Sequence, residues 1–178
     1  LKDHICHILG IMIKKYNHSY GACVTSIQTL PHYEHYSAMY ADLIQTCVVQ
    51  LGYESILPDL LRELSHANLS GGGATGAAAT AAGAENPNIK FYSQFIFDLA
   101  DRLAPQLVPY LSLIQELLNE ESYLMRNAIL YTYGEIIIKV LNREAASADL
   151  KLKQMRNELL DILIDHIHDV NGVTRYLI

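Results

Sequence analysis

The chain has 178 residues, of which 51% are hydrophobic and 18% are charged. This amount of apolar material excludes a wholly disordered segment and suffices for an ordinary core. With 13 basic and 19 acidic residues the net charge is −6, so the chain as a whole repels a nucleic-acid backbone and any contact with DNA must be local.

The first 68 residues show the spacing of amphipathic helices. Apolar residues recur at steps of three and four, which places them on one face of a helix. Gly21, Pro31 and Gly52 fall between the runs, where a left-handed cap or a missing N–H ends a helix at little cost, and Pro58 is tolerable early in its helix. The three runs are Ile5, Ile8, Leu9 and Met12; Met39, Tyr40, Leu43, Ile44, Cys47 and Val48; and Ile56, Leu57, Leu60, Leu61 and Leu64.

The segment 69–88 breaks this pattern. It contains three consecutive glycines, Gly71 to Gly73, followed by alanine, threonine and more glycine. Each glycine costs a helix roughly 1 kcal/mol relative to alanine, and no large apolar side chain offsets that cost. No lysine followed by serine or threonine comes after the glycines, so a phosphate-binding loop is not indicated. We expect a flexible Gly/Ala-rich insertion between helical repeats in 1–68 and 89–178.

Deleting residues Gly71 to Gly83 is expected to leave the free energy of unfolding nearly unchanged. The entropy of closing a flexible loop varies only slowly with its length. Urea unfolding of the deletion variant beside the parent chain measures this directly. A deletion variant that fails to fold would show that the segment belongs to the packed structure.

Four more amphipathic runs follow the insertion. Pro105 separates the first two, and the third, from about Ser122 to Asn142, has a stripe wide enough to touch neighbours on two sides, as an inner, buried helix does. The fourth extends from about Asp149 to His168. Their apolar residues are Tyr92, Phe95, Ile96, Leu99 and Leu103; Leu107, Tyr110, Leu111, Ile114, Leu117 and Leu118; Met125, Ile129, Tyr133, Ile136, Ile137 and Val140; and Leu152, Met155, Leu159, Ile162, Leu163 and Ile167.

These runs predict an all-α fold, because no segment shows the strict alternation of a strand. Helices joined by short turns could form a bundle or a solenoid of stacked helix pairs. Leu1 lies within an apolar-periodic run, and Val173 to Ile178 resembles the start of a truncated helix, so we expect a piece of a longer array. No apolar run is long enough to span a bilayer, and the first residues lack the pattern of a secretory signal, so no membrane association is expected.

No catalytic or metal site is expected. His4 and His7, His32 and His35, and His166 and His168 form close pairs, but neither a cysteine pair nor a His-Glu-x-x-His spacing completes a zinc ligand set. No Gly-x-Ser-x-Gly elbow accompanies the serines. We therefore expect no cofactor, and surface or capping roles for the histidines.

The remaining notable side chains have structural interpretations. Cys6, Cys23 and Cys47 are an odd number among apolar neighbours and are interpreted as buried packing residues. Tyr40, Tyr92, Tyr110 and Tyr133 fall on apolar stripes and are expected in the core rather than stacking on bases. Asp98 with Asp101, and Asp161 with Asp165, are interpreted as solvated polar faces. A weak basic patch, more simply a solvated helix face, comprises Lys139, Arg143, Lys151, Lys153 and Arg156.

Two positions match the repeat motif of HEAT proteins. In these proteins an acidic residue in a turn precedes an arginine in the next helix by about six residues, so that the acid can accept turn N–H groups and the arginine can pair with an adjacent repeat. Glu120 precedes Arg126, and Asp169 precedes Arg175, by that interval. A HEAT-type α-solenoid of stacked antiparallel helix pairs is therefore predicted.

Several sequence segments of the chain resemble the HEAT-repeat subunit 1 family of condensin complexes. The second half carries the resemblance in Glu121-Ser-Tyr-Leu-Met-Arg-Asn-Ala-Ile-Leu, Gly134-Glu135, Leu159-Leu-Asp-Ile-Leu, His168-Asp-Val-Asn171 and Arg175. The first half carries it in Asp3-His4, His7-Ile-Leu-Gly10, Lys14-Lys-Tyr-Asn-His18, His32-Tyr-Glu-His35 and Leu60-Leu-Arg-Glu63. Nearly the whole chain is covered, apart from the Gly/Ala-rich insertion.

The resemblance implies a non-enzymatic scaffold subunit that binds a kleisin and structural-maintenance-of-chromosomes (SMC) ATPases during mitotic chromosome condensation. Such a subunit would be found in the nucleus and on mitotic chromosomes, and also in the cytoplasm. It would contact chromatin through the whole complex rather than strongly through this chain. A generic HEAT or armadillo adaptor of another assembly is the alternative, and an all-α enzyme ranks below both.

Overall fold

The computed structural model describes residues 1–33, 35–69, 88–118, 122–142 and 149–166. These residues form eight α-helices and no β-strand. The helices, numbered in chain order, are α1 (Lys2–Tyr16), α2 (Ser19–Thr29), α3 (Tyr36–Gln45), α4 (Ile56–Leu69), α5 (Ile89–Leu107), α6 (Leu111–Leu118), α7 (Tyr123–Ile136) and α8 (Leu150–Asp165). π-helical turns extend α3 (Thr46–Gln50) and α7 (Ile137–Leu141), and 3-10 turns follow α2 (Leu30–His32) and α5 (Val108–Tyr110).

The apolar pattern does not predict α2. This helix buries the small or polar side chains Ser19, Cys23 and Ser26 beside a single large apolar residue, Ile27, so it lacks the repeated large apolar residues that mark the other helices. Gly21 was expected to separate two helices, but it lies inside α2. The chain turns instead at Asn17, which adopts a left-handed conformation (φ 51°) that asparagine tolerates better than most residues.

The other predicted helix ends are partly confirmed. Pro31 lies in the 3-10 turn after α2, and Gly52 has a left-handed φ of 61° just beyond the π-helical turn of α3. The break predicted at Pro105 is confirmed, because α5 consists of two helical segments that meet at a kink. The backbone leaves helical geometry at Leu103 (φ −128°, ψ 18°), just before the proline, since proline lacks an N–H and crowds the preceding turn.

The helices stack in two rows. In the first row α1 packs on α3, α3 on α5, and α5 on α7; in the second row α2 packs on α4, and α4 on α6. The last helix, α8, packs against α7 and its π-helical turn. Chain-consecutive helices thus alternate between rows, which is the arrangement of an α-solenoid. The predicted all-α fold of stacked helix pairs is confirmed.

Apart from the pair α3 and α5, side-chain hydrogen bonds between successive helices of a row join residues 30 to 40 positions apart. Side-chain hydrogen bonds join Ser19 to Asp59 and Lys14 to Leu51, separated by 40 and 37 residues, and Lys139 to Asp101, separated by 38. This matches a helical repeat of about 40 residues. Between α3 and α5 the separations rise to 60 and 61. The excess is close to the length of the segment 69–88, whose residues 70–87 lie outside the described part of the chain.

One apolar core runs through both rows, from Cys23 on α2 to Leu159 on α8. The predicted inner helix is confirmed, because α7 buries residues on faces that contact both α5 and α6. All three cysteines are buried and free, as predicted, and burial raises the pKa of Cys23 to about 12 and that of Cys47 to about 11.

A close approach of helices brings α1 onto the end of α3. A Cβ atom at Gly10 would lie 2.9 Å from Leu51 Cδ1 and 3.2 Å from Cys47 Sγ, so only glycine allows this packing without a shift of its neighbours. Within the described ranges, no helix combines the length and the apolar character that crossing a bilayer requires.

Candidate protein-interaction surfaces

Only one of the four predicted HEAT-motif residues lies within the described part of the chain. Arg126 is half-buried in the first turn of α7, where its backbone N–H donates to the Ser122 carbonyl at 3.1 Å. Glu120, Asp169 and Arg175 lie outside the described residues. The pairing of Arg126 with an adjacent repeat therefore stays a prediction.

Replacing Arg126 by alanine is expected to lower the free energy of unfolding by about 1 to 3 kcal/mol if the side chain joins adjacent repeats. Thermal unfolding followed by circular dichroism measures the change. Lys153→Ala on the exposed face of α8 is a matched control, expected to change stability by less than about 0.5 kcal/mol. An unchanged midpoint for Arg126→Ala would count against the predicted placement.

The predicted basic patch contains one residue that the fold itself engages. Lys139 pairs with Glu135 one turn earlier on α7 and donates to the Asp101 carbonyl oxygen on α5 at 2.8 Å. Lys151 and Lys153 are exposed on α8. Arg156 is half-buried on the same helix, and Arg143 lies outside the described residues. A shared patch of these cations stays a prediction.

Asp101 is exposed, as expected of a solvated helix face, whereas Asp98 is largely buried, and both carboxylates also bond to neighbouring helices. Ser37 on α3 donates to Asp98 at 2.8 Å, and the Tyr131 hydroxyl on α7 donates to Asp101 at 2.6 Å. Both carboxylates thus connect α5 to its neighbours in the first row. The signal was not visible in the sequence, because each partner lies 30 or more residues away.

Asp42 is the centre of a polar network along the first row. Its carboxylate accepts a hydrogen bond from Arg102 Nε on α5 at 2.7 Å and pairs with Lys2 on α1. Arg102 also donates to the Asp98 carbonyl oxygen at 2.7 Å. We call Lys2, Ser37, Asp42, Asp98 and Arg102 the first-row ladder. Asp42 joins α1, α3 and α5, and the hydrogen bond from Ser37 to Asp98 adds a second link between α3 and α5.

The environment of Asp42 favours its ionised form. Burial raises the pKa of the Asp42 carboxyl, but the hydrogen bonds and charges of Lys2 and Arg102 outweigh burial, so the net pKa lies below the ordinary value. The side chains of Asp42 and Arg102 are only 22% and 24% exposed, so solvent screens this pair less than a surface pair.

The lowered pKa of Asp42 predicts that the free energy of unfolding falls as the pH is lowered. The ionised form is favoured by the fold, so its contribution is complete above the ordinary aspartate pKa and is lost as the pH falls through the lower folded value. Denaturant unfolding between pH 7 and pH 3 should show a smaller acid loss for Asp42→Asn than for the parent chain. An identical pH dependence of the two chains would contradict this role.

Apolar side chains are exposed at the two ends of the stack. On α1, Ile5, Ile8 and Met12 are 46%, 58% and 51% exposed, and beyond α7 Ile138 is 65% exposed. By contrast, no large apolar side chain is exposed on α5 or α6 in the middle of the stack. A groove of about 220 Å³ lies between α1 and α3, lined by Leu1, Lys2, Ile5, Cys6, Leu9, Tyr36, Met39, Tyr40 and Leu43.

The histidines and tyrosines lie as follows. His4 and His7 are exposed on α1, and a ring nitrogen of His166 lies 2.8 Å from the Ile162 carbonyl oxygen at the end of α8. His32 and His35 are exposed, and His168 lies outside the described ranges. In the part of the chain that the structure describes, no three His, Cys, Asp or Glu side chains are grouped so that they could hold a metal ion.

The core placement is confirmed for the buried Tyr40, Tyr92 and Tyr133 and for Tyr110, which packs half-buried against the core.

Comparison with known proteins confirms the resemblance seen in the sequence. The chain is similar to condensin complex subunit 1 from Xenopus laevis (28% identity over 174 residues), Mus musculus (29% over 174) and Homo sapiens (29% over 175). Each alignment covers 98% of this chain, which spans about 12% of the length of each relative. No family model matches the chain.

Proposed function

We propose that this chain is part of a non-catalytic HEAT-repeat scaffold subunit of a condensin complex, which supports mitotic chromosome condensation by binding kleisin and SMC ATPase partners. The observation that carries the proposal is the similarity to condensin complex subunit 1 along 98% of the chain. The two-row stack of helices supports a scaffold role, because such stacks present extended surfaces to partners.

The roles of the polar side chains also support a non-catalytic chain. Three carboxylates accept hydrogen bonds from side chains on neighbouring helices: Asp42, Asp98 and Asp101. Their geometry is that of contacts between repeats. Arg126, with Glu120, and Arg175, with Asp169, are proposed to serve the repeat scaffold in the same way.

The charge of the chain suits an indirect contact with DNA. A net charge of −6 disfavours binding to a phosphate backbone, so we infer that chromatin is reached through the whole complex. The proposed location follows from the proposed function: the nucleus and mitotic chromosomes, and also the cytoplasm.

The chain organisation is proposed to be two sets of helical repeats, 1–68 and 89–178, with an insertion at 69–88. Support comes from the contacts between α3 and α5, whose residue separations of 60 and 61 exceed the 30 to 40 found between the other helices of a row. Subtracting the length of the insertion from the separations between α3 and α5 gives values close to the length of a regular helical repeat.

Affinity purification of the complete parent polypeptide from dividing cells, followed by quantitative mass spectrometry, tests the function. We expect a kleisin and two SMC ATPases to be recovered in comparable amounts. A polypeptide purified in the same way from cells treated to dissociate complexes with high salt provides the control. Recovery of a different assembly in their place would overturn the condensin proposal and favour an adaptor of that assembly.

A further inference from the structure

The last turns of α5 lack part of their backbone hydrogen bonding. In a regular α-helix the residue at position 105 donates its N–H to the Asp101 carbonyl oxygen, but Pro105 has no N–H to donate. Pro109, in the 3-10 turn that follows α5, lacks a donor for the same reason. The backbone also leaves helical geometry at Leu103. The segment 103–110, which we call the α5 kink, is therefore held by fewer backbone hydrogen bonds than the body of the helix.

A side chain of α7 takes the place of the missing donor. Lys139 Nζ donates to the Asp101 carbonyl oxygen at 2.8 Å, and the same ammonium pairs with Glu135. The Tyr131 hydroxyl donates to the Asp101 carboxylate at 2.6 Å. Tyr131, Glu135 and Lys139 are spaced four residues apart, so they share the face of α7 that meets α5. Asp101 is thus held by α7 through both its main chain and its side chain.

Lys139 itself belongs to a segment of irregular backbone. It lies in the π-helical turn of α7, where N–H groups bond five residues back, as Asn142 does to the Ile137 carbonyl oxygen at 2.8 Å. A related contact occurs earlier in the first row: Lys14 of α1 donates to the Leu51 carbonyl oxygen at 2.5 Å, directly after the π-helical turn of α3. At two levels of the row, therefore, a lysine of the neighbouring helix bonds a carbonyl oxygen where regular helical geometry ends.

The two sides of the α5 kink differ in their surroundings. Toward the core, Leu103, Ala104 and Leu107 are buried, and a void of about 10 Å³ lies beside Leu107 between the two rows. Toward α7, the Lys139 side chain is 36% exposed, so water can replace Asp101 as the partner of the ammonium without unfolding of the stack. The bond from Lys139 is charge-assisted and hence stronger than a bond between neutral groups. The contact that closes the kink therefore lies at its solvent-exposed side.

We propose that the α5 kink opens independently of the rest of the stack and that Lys139 is the latch that keeps it closed. When the bond to the Asp101 carbonyl oxygen is made, residues 103–110 stay packed against α7; when it breaks, this segment separates while the body of α5 remains in place. The segment connects α5 in the first row to α6 in the second, so the latch determines how firmly the two rows are joined at this level. The proposal rests on contacts within the chain and does not depend on the condensin assignment.

Hydrogen–deuterium exchange of the complete parent polypeptide, read by mass spectrometry, tests the latch. Lys139→Met keeps an unbranched apolar stem but has neither the charge nor the donor. We expect the backbone amides of residues 103–110 to exchange about tenfold faster in this variant, and the amides of α3 to exchange at the parent rate. Lys153→Met, which replaces an exposed lysine of α8, is the matched control and should leave both regions unchanged.

Restoring the missing N–H distinguishes a latch from a general stabilising contact. Pro105→Ala supplies the backbone donor for Asp101, so adding Lys139→Met to it should change the exchange of residues 103–110 by less than about twofold. Glu135→Gln removes the ion pair but keeps the Lys139 donor, and it should have a smaller effect than Lys139→Met. An equal effect would assign closure of the kink to the ion pair and overturn the proposal.

Three further results would overturn it. Exchange at residues 103–110 that is no faster in Lys139→Met than in Lys153→Met would show that the kink does not depend on this bond. Equal acceleration with and without Pro105 would show that Lys139 does not act through the carbonyl that the proline leaves unpaired. Equal acceleration in α3 would show an overall loss of stability. Lys139→Leu repeats the comparison if Lys139→Met gives no folded polypeptide, as judged by circular dichroism.

Discussion

Replacing Phe95 by alanine is expected to lower the free energy of unfolding by about 3 to 5 kcal/mol, the usual loss for a large aromatic side chain deleted from a core. Phe95 on α5 is fully buried. Its ring stacks on Tyr40 of α3 at a centroid distance of 5.1 Å, and Tyr40 in turn stacks on Tyr36 at 6.0 Å. The substitution would leave a cavity between two helices of the first row that neither backbone can close.

Phe97→Ala, two residues along the same helix, is the matched control. Phe97 is only half-buried, and its ring meets Tyr131 at 4.9 Å in a tilted arrangement. We expect a loss of about 1 to 2 kcal/mol, from partial burial and one aromatic contact. Urea unfolding followed by circular dichroism gives both values. Equal losses for the two variants would show that the contact between α3 and α5 is not centred on Phe95.

Arg102→Ala is expected to lower the free energy of unfolding by about 2 to 4 kcal/mol. The guanidinium bonds Asp42 and lies 3.7 Å from the Asp98 carboxylate, and its side chain is 24% exposed. Removing it would leave Asp98 without its cation and Asp42 with Lys2 alone, and a partly buried carboxylate is costly without a partner. The measurement is again urea unfolding, at neutral pH and low salt.

Arg62→Ala provides the contrast for this prediction. Arg62 also pairs with an aspartate, Asp59, but at 4.0 Å and with 63% of its side chain exposed. A pair of this kind contributes about 0 to 1 kcal/mol.

In the double variant Arg102→Ala with Asp42→Ala, the loss should be smaller than the sum of the single losses, because the two groups share one interaction. Additive losses would contradict a direct ladder contact.

The local pattern of the chain was sufficient to predict most helices. Leu57, Leu60 and Leu64 on α4, and Met125, Ile129 and Tyr133 on α7, are buried as their spacing predicted. The fourth run begins where predicted, since Asp149 caps α8 by accepting a hydrogen bond from the Lys151 N–H at 2.8 Å. Helical periodicity is a property of neighbouring residues, so a window of a dozen residues carries it.

Where the local signal was weak, the prediction failed. α2 buries Ile27 together with the small Ser19 and Cys23 rather than a full stripe of large apolar residues, because the space available to it is set by the helices packed around it. Gly10 shows the same dependence, since only the neighbouring Leu51 and Cys47 explain why no side chain fits there. At Pro105 the predicted break is confirmed by the kink at Leu103, and only the tertiary structure shows that the residues up to Leu107 pack as part of α5.

By itself, then, the sequence determined the all-α class, the helical-repeat architecture, the burial of the cysteines and core tyrosines, and the resemblance to condensin complex subunit 1. Only the tertiary structure decided which helices share a row, which carboxylates join them, and which face of α1 stays open. The physical reason is how far apart along the chain the interacting residues lie. Helix formation and burial are specified by residues three and four apart, whereas the partners of Asp42, Asp98 and Asp101 on other helices lie 30 to 61 residues away along the chain and meet only after the rows have stacked.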